Sequence, residues 1–150
     1  MRLSAYTDVC LRTLMVLGAR GGQRLTSREI SELIDIPYNH VTKAVLELGN
    51  LGALDVTRGR YGGASITEAG LRMSLGELLR TLDWREDVVD CTTHDALRDC
   101  PLSGGCRLRS ALRQARDAFY NSLDSLTVAE VVENSSSLTR LPFPQIRPAG

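Results

Sequence analysis

From Thr26 to Thr67 the chain carries a pattern that leaves few folds open to it. Thr26-Ser27-Arg28-Glu29 is a capping box: Thr26 caps the amide at Glu29, and Glu29 reaches back to the amide of Thr26. Ile30, Leu33 and Ile34 then supply an apolar helix face. Asp35-Ile36-Pro37 makes a short turn, and Pro37 suits the first position of a further helix, where its missing N–H costs nothing. That helix extends to about Asn50, with Val41, Val45, Leu48 and Leu51 facing inward. Two short helices around a tight turn make a helix-turn-helix, whose second helix enters the major groove N-terminus first. A helical hairpin with a solvated face is the alternative. Asn39, His40, Thr42 and Lys43 lie near the start of the second helix and off its inner face. With Arg28 and Tyr38 they are the candidate DNA-contacting residues of the helical part.

The following stretch favours DNA binding. Leu54-Asp55-Val56-Thr57 and Ala64-Ser65-Ile66-Thr67 alternate apolar and polar residues, and Arg58-Gly59-Arg60-Tyr61-Gly62-Gly63 lies between them. That predicts a β-hairpin with a glycine-rich, basic tip. Helices followed by such a hairpin describe a winged helix, with Arg58 and Arg60 placed to reach phosphates or a narrow minor groove. A solubility role is the plainer reading of the two arginines.

The preceding helix is expected from about Ala5 to Arg20, capped by Ser4 and ended by Gly21-Gly22. Tyr6, Val9, Cys10, Thr13, Leu14 and Leu17 form its apolar stripe. Asp8 sits off that stripe, near the positive end of the helix dipole, where a solvated carboxylate is favourable. Downstream, Thr67-Glu68-Ala69-Gly70 starts a turn, and Ser74-Leu75-Gly76-Glu77 and Thr127-Val128-Ala129-Glu130 are further capping boxes. Leu108, Leu112, Ala115, Phe119, Ser122 and Leu126 step by 4, 3, 4, 3 and 4, close to a heptad seam. A twin helix in a homodimer is the expected partner of that seam.

Thiols add a second theme. Three of the four cysteines follow the spacing Cys91-x8-Cys100-x5-Cys106, broken by Pro101 and Gly104-Gly105. Thiols on one loop can converge on a soft metal. A four-ligand site needs one more group from Asp8, Cys10, His94, Asp99 or water. Cys91, His94, Cys100 and Cys106 together would make a closed zinc site. Three thiolates on an iron–sulfur cluster would leave one iron with a weaker ligand. A metal-free thiol switch is a third possibility. Cys10, on the apolar stripe, is expected in the core.

Composition agrees with a soluble chain: 43% hydrophobic, 24% charged and net charge zero. Residues 1–66 carry eight basic and six acidic groups, residues 67–105 four and eight, and residues 106–150 six and four. The DNA-reading third is mildly basic and the cysteine region acidic, which permits DNA binding. No apolar run approaches the ~20 residues needed to span a bilayer, and no basic-then-apolar leader opens the chain. A cytoplasmic protein with no membrane partner is expected. His40 and His94 offer no nucleophile–base pairing, so no enzyme is expected.

Taken together, these motifs resemble a bacterial family of iron–sulfur winged-helix regulators, and within it the nitric-oxide-sensing repressors. The resemblance rests on 1–8 and Leu11-Arg12-Thr13-Leu14-Met15, on 36–43, on 58–63, and on Val88-Val89-Asp90-Cys91, Cys100-Pro101-Leu102 and Cys106-Arg107-Leu108. It covers about residues 1–133. It implies a mainly α fold and a homodimer with one 4Fe–4S cluster per subunit. In it Cys91, Cys100 and Cys106 match cysteine ligands, and Asp8 matches an oxygen ligand supplied by the other subunit. Two features depart from the pattern. The gap between the first two cysteines is long and keeps His94 a rival ligand. Arg109 stands where related cluster-biosynthesis regulators place a histidine, which argues against their 2Fe–2S cluster; that cluster and zinc are the alternatives.

The expected organisation is a winged helix-turn-helix at 1–67, connecting helices and the cluster loop at 68–106, a dimerisation helix and short last helix at 107–133, and a flexible tail at 134–150. The expected function is a repressor that binds a palindromic operator in double-stranded DNA and releases it when nitric oxide nitrosylates the cluster. Sensing of redox or iron–sulfur status is the alternative within the family. A zinc-stabilised or thiol-switch interaction module is the alternative outside it.

Overall fold

In the computed structural model Ser4 accepts a hydrogen bond from the amide of Thr7 and starts α1 (Ala5–Ala19), one residue shorter than its periodicity suggests because Arg20 is the C-cap. The structure describes residues 3–59, 62–83 and 106–135. Both halves of the capping box at Thr26 and Glu29 form, opening α2 (Ser27–Ile34). Asp35 closes α2 in the left-handed region at φ 51°, which a short polar side chain tolerates. α3 (Tyr38–Asn50) begins one residue later than expected. Pro37, with ψ 136°, is extended and therefore precedes the helix instead of opening it.

The hairpin is β1 (Leu54–Thr57) and β2 (Gly63–Ile66), antiparallel, with Leu54 opposite Ile66 and Thr57 opposite Gly63. Its second strand starts and ends one residue before the expected one. Leu25 adds a single antiparallel bridge to Ala64, with N–H···O distances of 2.9 and 2.7 Å. The wing is thus tied to the stretch preceding α2.

The expected turn at Thr67 is a short helix, α4 (Glu68–Arg72), because the Thr67 hydroxyl accepts the Gly70 amide at 2.8 Å. α5 (Leu75–Leu82) is capped by Ser74, which accepts the Glu77 amide at 3.3 Å, one half of the box read there. α6 (Arg107–Asn121) and α7 (Val128–Glu133) complete the described helices. α7 opens with the full box of Thr127 and Glu130.

Cys10, Leu14, Leu17, Leu25, Ile30, Val41, Ala44 and Leu48 form the centre of the core, so α1, α2, α3 and the wing base share one apolar interior. The inner face of α3 is as read from spacing, with Ala44 added and Leu51 half-buried, whereas on α1 Thr7 and Val16 join the buried stripe and Tyr6 is only half-buried. α7 returns to this body. Val128 donates to the Met73 carbonyl at 3.1 Å, and Val132 packs on Gly18 of α1.

α6 is shorter than its seam. Ser122 caps it, so Ser122 and Leu126 leave the heptad register, and Leu108, Leu112, Ala115 and Phe119 remain. Leu108 is 62% exposed and Phe119 39%. Tyr120 is buried beside α5, with the Arg80 guanidinium 5.8 Å from its ring centroid. Arg80 also donates to both Asp124 carboxylate oxygens, at 2.6 and 2.9 Å, and to Asn121. Gly76 lets the two elements meet, since a Cβ there would lie 2.1 Å from Asp124 Oδ1 and 2.5 Å from the Tyr120 carbonyl. Among the described residues, no helix is long and apolar enough to cross a membrane.

Gly76→Ala should therefore cost about 1–3 kcal/mol of stability by overpacking, read from the urea midpoint. A midpoint unchanged within error would show that α6 is not held this way. The hydrogen bond from Arg80 also lowers the Asp124 pKa. A lowered carboxylate stabilises above its unfolded pKa, and that contribution fades as pH falls through the folded value. Asp124→Asn should accordingly flatten the acid limb of the stability–pH curve and leave its alkaline limb unchanged.

Candidate nucleic-acid interface

The start of α3 is presented to solvent because the inward positions of this helix are Val41, Ala44, Val45 and Leu48. Tyr38, Asn39, His40, Thr42 and Lys43 are all exposed. Tyr38 is 48% exposed, and the Arg28 guanidinium stands 5.7 Å from its ring centroid, a cation–π arrangement that orients both. The Thr42 hydroxyl donates to the Tyr38 carbonyl at 2.9 Å, so its methyl and lone pairs are what it can offer a base edge.

Between the start of α2, the outer side of α3 and the wing lies a cleft of about 620 Å³, bordered by Arg28, Tyr38, Thr42, Leu46, Val56 and Arg58. Four of the candidate DNA-contacting residues are thus gathered at one opening. Asn39, His40 and Lys43 lie on the same helix. Arg60 lies outside the described residues. Leu46 (54% exposed) and Val56 (40% exposed) were missed by sequence reasoning, though the available signal was that Leu46 falls off the helical stripe. They place apolar surface beside Thr42, and an apolar side chain in the major groove contacts thymine methyl groups. Guanidinium groups at the rim suit phosphate.

α1 supports this helix from behind. The Tyr6 hydroxyl donates to the Lys43 carbonyl at 3.5 Å. Its pKa is pushed up to about 12, first by burial and then by the neighbouring Cys10 and Glu47. Burial likewise pushes the Cys10 thiol up to about 11, against the lowering effect of its bond with Tyr6. Cys10 is fully enclosed among the apolar side chains of the core. It is the core residue its stripe position suggests.

Asp8 projects from the other side of α1, half-exposed and paired with Arg12 at 2.8 Å. That pairing also satisfies the plain reading of a solvated carboxylate. The adjacent Thr7 points inward, fully buried, and its hydroxyl makes a short hydrogen bond to the buried carboxylate of Asp83, at the end of α5. Cys106 is the N-cap of α6, and its sulfur accepts the Arg109 amide at 3.5 Å. Cys91 and Cys100 lie outside the described residues, as do His94 and Asp99. Among the described residues, no three His, Cys, Asp or Glu side chains come together as a metal-binding group. Two of the four expected ligands are therefore placed, each at a helix start: Asp8 in the first turn of α1 and Cys106 as cap of α6.

Residues 3–134 match the family model of Rrf2, described as iron-dependent transcriptional regulator. The chain is 46% identical over 134 residues to the HTH-type transcriptional repressor NsrR of Streptomyces coelicolor, covering 88% of each chain. It is 34% identical over 142 residues to the HTH-type transcriptional regulator NsrR of Geobacillus kaustophilus, covering 94% of this chain and 96% of that one. Among solved structures, it is similar to Staphylococcus aureus CymR, with TM-score 0.65 and 21% identity over 88% of this chain and 98% of that one. It is also similar to T. potens IscR, with TM-score 0.62 and 14% identity over 96% and 94%.

Replacing Lys43 or Arg58 by Ala should weaken duplex binding and lower the slope of log K against log salt by about 0.9 for each lost phosphate contact. The measurement is fluorescence anisotropy across a salt series. Slopes equal to wild type for both variants would remove this face from the DNA interface.

Proposed function

The chain belongs to the Rrf2 family of transcriptional regulators, and from that premise we propose that it is a homodimeric repressor that senses nitric oxide through a 4Fe–4S cluster. DNA binding and transcriptional control follow from the family, which is one of regulators and not of enzymes. The observation that carries the finer reading is the position of Asp8: a half-exposed carboxylate on the helix that backs the DNA-reading helix α3.

The donor set fits the group. Cys91, Cys100 and Cys106 would hold a cluster in one subunit, and Asp8 of the partner subunit would complete it. Cys106 is half-buried and accepts a backbone N–H, the kind of hydrogen bond that tunes cluster thiolates. Arg12 holds the Asp8 carboxylate at the surface, where another chain can approach it. A carboxylate oxygen matches soft iron poorly and is displaced more readily than a thiolate. When bound, such a cluster supplies an iron that nitric oxide can attack.

The chain's own residues then convert the state of Asp8 into DNA affinity. α1 carries Asp8 on one side, and on the other Tyr6 and Cys10 pack towards α3. A shift of α1 moves α3 because the interface between them is close-packed and has little room to absorb the displacement. The seam of exposed Leu108, Ala115 and Phe119 with half-buried Leu112 on α6 fits a second copy of the same helix. Two copies would present two recognition helices to successive major grooves of a palindromic operator. A few kcal/mol of differential stabilisation is enough to switch occupancy.

Anaerobically purified protein should show broad visible absorption, with iron and sulfide in equal amounts. Addition of a nitric oxide donor should release bound duplex. Asp8→Ala should keep its fold, because the side chain is half-exposed and pairs with the exposed Arg12, and should alter both cluster retention and the response to nitric oxide. Colourless zinc-loaded protein, or an Asp8→Ala variant matching wild type in both respects, would refute the reading. A chain whose DNA affinity follows cluster loss and ignores nitric oxide would be a sensor of iron–sulfur status.

A further inference from the structure

We propose that Arg24 is the positioning residue of the wing, a guanidinium staple across both strands that fixes how the tip meets DNA. This rests on the winged helix binding DNA, and it gives a role to a residue outside the cleft. Arg24 immediately precedes Leu25, whose backbone pairs with Ala64 at the edge of β2. From that edge its side chain crosses β2 and reaches β1. Nη1 donates to Thr57 Oγ1 at 2.8 Å and to the Gly63 carbonyl at 3.1 Å, with the Asp55 carbonyl a longer contact at 3.4 Å. Nη2 donates to Asp55 Oδ2 at 2.5 Å.

The crossing point is Gly63. A Cβ there would lie 3.0 Å from Arg24 Cγ and 2.7 Å from the Leu25 carbonyl, so the absent side chain leaves the passage for the arginine. Thr57 and Gly63 are the last paired residues of the ladder, and Arg58 follows Thr57 directly. The guanidinium therefore closes the hairpin where its basic tip begins. Asp55 and Thr57 share one face of β1, and Val56, which borders the cleft, faces the other way. The staple thus closes the wing at the margin of the cleft, which Thr57 and Gly63 also border.

A two-stranded hairpin is marginal in water and does not set its own angle. A lone exposed ion pair adds little. A planar guanidinium engaging acceptors on two strands is different, because its fork fixes direction as well as distance. Lysine, a single point charge, cannot hold both strands in this way.

Asp55 supplies the decisive test, because the two possibilities give opposite signs. If the pair is only surface charge, Asp55→Asn removes a negative group near DNA and tightens binding. If Arg24 and Asp55 position the wing, the same change loosens it. With a duplex selected for tight binding by the wild-type protein, Asp55→Asn should weaken binding about threefold and Arg24→Ala about tenfold. Arg24→Lys should stay near the alanine value, with melting temperatures close to wild type throughout. In an Arg58→Ala background the effect of Arg24→Ala should shrink to about twofold or less, since both changes act through the tip. Tighter or unchanged binding by Asp55→Asn, or losses from Arg24→Ala and Arg58→Ala that multiply, would overturn the proposal. A readout without DNA separates this from the DNA-binding premise. Amide exchange across β1 and β2 should quicken about tenfold or more in Arg24→Ala. Unchanged exchange would overturn the proposal whatever the DNA result.

Discussion

The contact between α1 and α3 is the constraint on which the rest of the structure depends. Cys10, Leu14 and Leu17 on one helix and Val41, Ala44 and Leu48 on the other are buried together. At roughly 1.5–3 kcal/mol for each large side chain removed from water, this packing outweighs any single surface interaction in the molecule. Leu25 and Ile30 attach the wing base and α2 to it, and α7 covers α1 from another side. Everything placed on the outer surface of either helix inherits its position from that contact. This applies to Asp8 on α1 and to Tyr38, Asn39, His40 and Lys43 on α3.

Local chemistry made most of the helix starts readable. Ser4, Thr26, Ser74 and Thr127 each accept an amide three residues on, as their sequence contexts suggest. Helix ends were harder, because they depend on what the chain meets next. The apolar steps at Ser122 and Leu126 continue the seam of α6 in sequence, yet Leu123 and Leu126 turn back to accept the amides of Gly76 and Leu75, so the helix stops at Asn121. Thr67 looks like a turn residue in sequence because its role as a cap depends on Gly70 lying against Ala53, a contact distant in sequence.

The candidate site divides along the same line. The polar residues at the start of α3 could be found from spacing alone, since residues off an inward stripe must face outward. The apolar floor of the cleft is only half legible: Leu46 falls off the inward stripe of α3, whereas Val56 sits in a short strand whose outward face the alternation alone does not identify. Arg24 was invisible for another reason. Its acceptors lie on two strands 31 to 39 residues away, and nothing in the sequence near it signals that the chain returns. Thr7 and Asp83, 76 residues apart, are the same kind of case.

That last pair gives the neighbouring Asp8 its mechanical context. Successive helix residues point about 100° apart, so a side chain anchored inward at Thr7 fixes where Asp8 points outward. The anchor is a buried carboxylate, and leaving one without its hydrogen-bond donor is costly, so the register of α1 at this turn is well determined. Asp83 also ends α5, just before the segment that carries Cys91 and Cys100. One end of that segment is therefore attached to the first turn of α1, and its other end is Cys106, the cap of α6. A group that engaged Asp8 from another subunit would act on α1 and, through its packed face, on α3.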